Sequence, residues 1–286
     1  MSLTVMREFR ENEPLRRAFD ALAQPVLGSS LMEWHRQGYW TDHFRPYLLV
    51  RDGVPLACAV AYLQNLCWDG RVHRCVQIGT VLTDPAARGE GFARQLIGEI
   101  LQDWETAEFI FLLSGPDTAG LFESLGFALR PEFCWRADTV VPVRSETIPL
   151  DLQLPRDREL LWAHTLEGNP FAALTLHRSY ELLLLWLMRD PALQPVFLPR
   201  SDTVAVLRAQ PGGLCCLDLL GGRGTLMQAL SQLGQDGAIP LGFAPRETSG
   251  CTCRPKEDGS RLLVLPGGCE PPFAASRLCL PVLAHS

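Results

Sequence analysis

Lysine is nearly missing from this chain. Lys256 is the one lysine in 286 residues, and arginine carries the rest of the positive charge. That scarcity excludes a Walker-type nucleotide loop, which needs Gly-Lys-Ser/Thr to grip its phosphates. Genomic base composition accounts for it; an amine-modifying enzyme that spares itself is the functional alternative. The formal net charge is −6, so the chain also lacks the cationic surplus with which nucleic-acid binders displace counterions. Long apolar runs are absent too. Leu182 to Met188, for example, falls far short of the roughly 20 residues that span a bilayer. The charged opening stretch, Arg7 to Glu13, is followed by no apolar signal region. These absences predict a soluble, cytoplasmic protein with neither a membrane nor a nucleic-acid partner. Of the 10 cysteines none forms a CxxC pair, and no histidine stands at zinc-finger spacing from one. Most, such as Cys58 and Cys75, lie in apolar stretches and read as reduced core thiols. No metal is expected; a site using Cys251 and Cys253 is the sharper alternative.

What is present is globular: 47% apolar and 20% charged residues, ample for a buried core. The length suggests two domains at roughly 150 residues each. Apolar positions at Leu15, Ala18, Phe19, Leu22 and Val26 have helical spacing. A second short helix is expected over Leu31 to Gln37, with Ser29 and Ser30 as cap candidates. Asp52-Gly53 and Asp69-Gly70 are hairpin turns joining strands at 46–50, 54–66 and 72–83. From Phe92 the apolar residues follow a 3.6-residue period to Trp104. The unbroken run Phe109 to Leu113 reads as a strand buried on both faces. A short helix over 118–125 ends at Gly126, and a strand covers 133–143. This order predicts an α/β (α+β) mixed sheet with a βαβ unit at its centre. Pro142, Pro149 and Pro155 mark the boundary between domains 1–145 and 146–286. The second domain shows helical patterns at 157–167 and 177–189, strands near 196–199, 203–209 and 214–220, and a helix near 225–233.

One segment is informative for function. Arg88-x-x-Gly91-x-Ala93 stands between a strand and a helix. Small residues there let the backbone approach a ligand. The first helical turn offers unpaired N–H groups at the positive end of its dipole, which suits a pyrophosphate. A dinucleotide fingerprint fits worse, because Arg94 occupies its last glycine position. An ordinary strand-to-helix turn is the competing reading of the pattern by itself.

Over residues 76–127 the chain resembles the GNAT superfamily of N-acetyltransferases. The strand ending Val81-Leu82-Thr83-Asp84-Pro85, the Arg88–Ala93 turn, the amphipathic helix, the apolar strand 109–113 and the closing Leu121-Phe-Glu-Ser-Leu-Gly-Phe127 occur in the family's order. The resemblance implies acetyl-CoA as cosubstrate, bound where two parallel strands splay. Backbone groups of Val81, Leu82 and Thr83 would pair with the pantetheine arm. The N–H groups of Gly89, Glu90, Gly91, Phe92, Ala93 and Arg94 would hold the pyrophosphate, with Arg88 supporting the turn or a phosphate oxygen. Phe122 stands where many members place a tyrosine that protonates the leaving thiolate, and Gly115 where an asparagine is common. A phenyl ring supplies no proton, so the thiolate leaves unassisted or takes one from water, another residue substitutes, or the protein binds acyl-CoA without efficient turnover.

The segment Glu33-Trp-His-Arg-Gln-Gly-Tyr-Trp-Thr-Asp-His43 lies where the family's acceptor wall would be. It offers Glu33, His35, Asp42 and His43 as candidate bases, against the plainer reading of a helix edge with a packed aromatic loop. The second half resembles the degenerate second GNAT-like unit of two-domain bacterial acetyltransferases. In such relatives the C-terminal carboxylate reaches the first active site, which makes Ser286 a further candidate. Leu217-Asp-Leu-Leu-Gly-Gly-Arg-Gly224 is similar to a methyltransferase loop but has the wrong glycine spacing, and reads as a strand end and turn. The resulting expectation is an acetyl-CoA-dependent N-acetyltransferase acting on a small-molecule or peptide amine, with a homodimer compatible with the sequence. A catalytically impaired acyl-CoA sensor is the alternative.

Overall fold

The computed structural model describes residues 3–269, 273 and 277–285. The first half runs β1 (Leu3–Met6), α1 (Glu13–Leu27), α2 (Leu31–Arg36), β2 (Phe44–Arg51), β3 (Val54–Trp68), β4 (Arg71–Thr83), α3 (Phe92–Asp103), β5 (Phe109–Ser114), α4 (Ala119–Glu123), β6 (Ala128–Arg130) and β7 (Phe133–Val140). The second half runs β8 (Ile148–Pro149), α5 (Pro155–Glu167), β9 (Thr175–His177), α6 (Tyr180–Arg189), β10 (Leu193–Leu198), β11 (Thr203–Gln210), β12 (Gly213–Leu220), α7 (Leu226–Ser231), β13 (Gly237–Leu241), β14 (Cys251–Pro255) and β15 (Arg261–Pro266).

Local signals fix the ends of the helices. The Asn12 side chain accepts the Leu15 N–H, and Gly28 closes α1 in the left-handed conformation. Ser30 caps α2 by accepting the Met32 N–H at 3.2 Å, while buried Asp20 accepts the Leu31 N–H at 2.7 Å. Thr225 and Gln228 form a reciprocal capping box on α7.

Two mixed sheets result, with strand orders β1-β2-β3-β4-β5-β15-β6 (β9 pairing β3) and β14-β7-β13-β12-β11-β10-β8. They repeat one pattern. Antiparallel β2-β3-β4 is followed by parallel β4-β5; antiparallel β10-β11-β12 is followed by parallel β12-β13. In each sheet the next strand belongs to the other half: β15 lies between β5 and β6, and β7 between β13 and β14. The sequence pattern placed 133–143 in the first sheet, and the structure corrects that. A chain division at 145/146 is therefore not a division between the sheets. The reason is that β7 and β15 carry the same alternation whichever sheet receives them, so pattern gives a face but not a partner.

The exchanged strands join a core that lies between the sheets. Phe109, Phe111, Leu262 and Val264 of the first pack with Trp135, Ala137, Leu207 and Leu219 of the second. On the other face of the first sheet, Leu96, Ile97 and Ile100 of α3 cover Ile78, Ile110 and Leu112. α1 covers the same sheet through Phe19 and Ala23, which pack on Leu48, Val60 and Tyr62.

Asp218 in β12 is buried, and its Oδ1 accepts the Asn169 Nδ2–H at 2.6 Å and the Leu219 N–H at 3.0 Å. Burial outweighs these bonds and pushes the carboxyl up from 3.8 to about 6. A raised carboxyl favours the fold below the unfolded pKa, and that advantage is lost as pH rises through 6. Asp218→Asn is accordingly expected to be more stable than the wild type at pH 7, by about 2–3 kcal/mol at 1.36 kcal/mol per unit. The two melting temperatures should converge as pH falls towards 4, which thermal melts across that range would check.

Candidate active site

β4 and β5 pair in parallel over three positions only: Cys75 with Phe109, Val76 with Ile110, and Gln77 with Phe111. Beyond Gln77 the strands part, and the β5-facing edge of β4 from Ile78 to Thr83 has no strand partner among the described residues. A bulge opposite Cys58–Val60 sharpens the divergence, with Thr80 at φ 51°. A non-glycine residue held there stores strain of order 1–3 kcal/mol. Val81 faces the α3 side of the sheet and Leu82 the α1 side, so side chains alternate while the backbone edge stays open.

The turn after β4 leads from this edge to α3. Asp84 accepts the Ala86 N–H at 2.8 Å, and Arg88 Nε donates to the Thr83 carbonyl at 3.5 Å. Gly89 and Gly91 have φ values of 85° and 83°, and a Cβ added to either would meet nothing within 4 Å. Both glycines thus serve backbone geometry and border open space. Gly91 caps α3 without a side-chain bond, and the first helical hydrogen bond runs from the Gln95 N–H to Gly91 O at 3.0 Å. The N–H groups of Phe92, Ala93 and Arg94 precede it and have no place in the helical ladder. Flanking side chains hold the turn. Glu90 pairs with Arg51 at 2.8 Å, the Arg51 guanidinium lies 5.0 Å over the Phe92 ring, and Arg94 donates to Ser124 Oγ at 2.7 Å.

Phe122 sits in α4 and packs in the α3-side core with Phe127, ring centroids 6.1 Å apart at 79°. Ser114, at the end of β5, shares a 2.7 Å hydrogen bond with Thr118.

On the α1 side of the diverging strands the Tyr62 hydroxyl lies 3.2 Å from Thr80 Oγ1, and Gln64 Nε2 donates to Gln77 Oε1 at 2.8 Å. Both line a hollow walled by Trp34, His43, Arg178 and Glu181. It encloses about 30 Å³, room for a water molecule, so a larger guest must part its walls. The hollow brings together His43 and two residues that opened no sequence motif, Arg178 and Glu181. His35 and Asp42 line an adjoining depression that also includes His43 and Glu181. Glu33 lies apart: it pairs with Arg36, accepts Gln37 Nε2 at 2.7 Å, and faces Leu152, Gln153 and Arg158. Asp42 is held by Arg10 at 3.1 Å and Arg45 at 3.6 Å. Ser286 lies outside the described residues. The described tail passes close by, since Gln64 Nε2 also donates to the Ala284 carbonyl at 2.9 Å, and Trp186 Nε1 donates to that of His285 at 2.7 Å.

The equivalent turn of the second half is closed. A Cβ on Gly221 would stand 2.7 Å from the His164 ring, and one on Gly222 would collide with Thr203. At the α7 N-terminus the capping box takes up the N–H groups of Thr225 and Gln228. These two glycines permit close packing, in contrast to the open space at Gly89 and Gly91.

Residues 13–127 match the model of the acetyltransferase (GNAT) family. A search of curated proteins gives no match. Solved structures share the fold over nearly the whole chain. A conserved protein of Enterococcus faecalis described as a probable N-acyltransferase matches with TM-score 0.60 at 13% identity, covering 93% of this chain and 71% of its own. A GCN5-related N-acetyltransferase of Kribbella flavida matches with TM-score 0.59 at 14% identity, covering 92% and 70%. Eis1 of Mycobacterium abscessus matches with TM-score 0.60 at 17% identity, covering 92% and 73%. Among the described residues no helix is long and apolar enough to cross a membrane.

Proposed function

We propose that this chain, whose residues 13–127 form a GNAT-family acetyltransferase domain, transfers an acetyl group from acetyl-CoA to a primary amine of a small molecule or peptide. The observation that carries this reading is the open β4 edge leading into a turn at Gly89 and Gly91 where an added Cβ would meet no protein atom, on the N-terminus of α3. Residues 1–145 supply the cofactor site, and 146–286 act as a second GNAT-like unit whose own turn is filled. The pantetheine arm runs along Val81 to Thr83 in strand fashion. The pyrophosphate takes the N–H groups from Gly89 to Arg94, where the helix dipole favours negative charge.

The acceptor amine attacks the thioester carbonyl carbon from the Tyr62–His43 side. The C–S bond breaks and CoA leaves as its thiolate. Only a neutral amine has the lone pair this needs. Among Glu33, His35, Asp42 and His43 the base is His43, because it lines the hollow beside Tyr62, whereas His35 lines only the adjoining depression and Glu33 and Asp42 are engaged by arginines. Phe122 donates no proton, so the thiolate takes one from water.

Incubation with acetyl-CoA and an amine panel, reading free CoA thiol and acetylated product by mass spectrometry, tests the proposal. Turnover should appear with at least one amine, and His43→Ala should lower kcat by about 10²-fold or more, the usual worth of a general base, with acetyl-CoA affinity unchanged. Phe122 favours a second reading, an acyl-CoA sensor, which would bind acetyl-CoA and release no CoA with any acceptor.

A further inference from the structure

At the opposite end of β4 from the cradle, three side chains from distant parts of the chain converge. They are His73 near the start of β4, Glu108 just before β5, and Cys269 in the segment that follows the exchanged strand β15. Their donor atoms all lie within 4.8 Å of one another. His73 Nδ1 is 2.7 Å from Glu108 Oε2 and 3.8 Å from Cys269 Sγ. Both partners therefore approach the same ring nitrogen. A cysteine–histidine–carboxylate relay needs one partner on each nitrogen of the ring, so this arrangement is not a nucleophile system. Three electron-pair donors within 4.8 Å of one another are close enough to share a cation.

The three groups are held by their surroundings. Trp68 stacks on the imidazole, with centroids 3.4 Å apart and planes within 9°. The other carboxylate oxygen of Glu108, Oε1, accepts the Arg74 N–H at 2.9 Å. The Glu108 carbonyl accepts the N–H groups of Gly267 at 3.0 Å and Cys269 at 3.3 Å. Gly267 is obligatory for this approach, since a Cβ there would stand 2.8 Å from the Glu108 carbonyl oxygen. Outer contacts of this kind orient metal ligands and are worth about 10–100-fold in affinity.

We propose that His73, Glu108 and Cys269 bind a divalent ion of the zinc class, with three protein ligands and water in the fourth position. A mixed nitrogen, oxygen and thiolate set suits zinc or cobalt and disfavours magnesium and calcium, which take oxygen ligands. Binding replaces the S–H bond of Cys269 by a metal–sulfur bond and releases the proton to solvent. The ion takes no part in the acetyl transfer. His73 and Thr83 are ten residues apart on one strand, roughly 33 Å at about 3.3 Å per residue, too far for the ion to touch a thioester at the splay. The ion instead staples the β3–β4 hairpin and the start of β5 to the exit of the strand that the second half lends to the first sheet.

Titration of the intact, chelator-treated chain with cobalt(II) tests the site. One equivalent should produce a thiolate-to-cobalt charge-transfer band with intense four-coordinate visible bands. Zinc(II) should displace it and raise the melting temperature, and magnesium should do neither. Cys269→Ser should remove the charge-transfer band and weaken zinc binding by about tenfold or more, although the nine other cysteines (10 − 1) remain. Glu108→Gln should weaken it similarly. His73→Gln alters a buried, stacked ring and serves only if its near-ultraviolet circular dichroism matches the wild type; the other two variants alter partly exposed residues. A folded wild type without the charge-transfer band, or a band that persists in Cys269→Ser, would overturn the proposal.

Discussion

Gly91→Val should abolish measurable acetyl-CoA binding while the protein stays folded. Two effects coincide at this position. A β-branched residue is strained at φ 83°, so the turn must move and carry the N–H groups of Phe92 to Arg94 out of register. The new side chain also points into space that is otherwise open, where the pyrophosphate is placed. Loss of two hydrogen bonds to a charged group, at about 1.5–3 kcal/mol each, corresponds to at least about a hundredfold in affinity. Gly98→Ala is the control. Gly98 lies within α3 with negative φ and no neighbour within 4 Å of an added Cβ, so alanine should improve helix stability slightly and leave affinity unchanged. Equilibrium dialysis of both variants, with circular dichroism to confirm folding, would check the pair.

The second large effect is expected at the crossover of the two sheets. Glu132 lies between β6 of the first sheet and β7 of the second; Lys256 lies between β14 of the second and β15 of the first. The two chain crossings are tied together there. Lys256 Nζ meets Glu132 Oε2 at 3.2 Å, with side chains only 12% and 4% exposed. The Lys256 N–H donates to the Glu132 carbonyl at 2.9 Å, and the Leu280 N–H donates to Glu132 Oε1 at 3.0 Å. Burial works against the Lys256 ammonium, but Glu132 together with Asp258, 3.5 Å away, outweighs it and raises its pKa. Lys256→Met strands the Glu132 carboxylate in a dry site and should cost about 3–5 kcal/mol. Adding Glu132→Gln removes the stranded charge and should restore part of that loss. Urea unfolding of the two singles and the double would show the coupling; additive losses would mean that the pair contributes nothing as a pair. The single lysine of the chain is thus a fixture of the strand exchange.

The sequence made the local devices legible and left the tertiary ones hidden. α1, α3 and α6 follow from apolar periodicity, and Ser30 and Gly126 from cap chemistry, because those signals lie within a few residues of one another. The Gly89–Ala93 turn was legible for the same reason. What distinguishes it from the glycines at 221–224 was not, since open space at Gly91 and a Thr203 hydroxyl against Gly222 are set by residues far along the chain. The exchange of β7 and β15 escaped pattern reasoning because the alternation of a strand such as β7 looks alike in either sheet. β1 and β6 are too short, at four and three residues, to show a period. Glu33, Asp42 and His43 are near neighbours in sequence, yet arginines engage two of them, and Glu181 joins the site from the other half. The metal site proposed above draws on residues 73, 108 and 269, which have no spacing to read.

Calorimetric titration of the intact wild-type chain with acetyl-CoA tests the central claim most directly. A saturable heat with one site per chain, competed by CoA, is the expected result and would place the cofactor in the β4–α3 cradle once Gly91→Val eliminates it. A folded wild type that takes up no acetyl-CoA at millimolar concentration would contradict the account, and would leave the splayed strands and the glycine turn as structural features only.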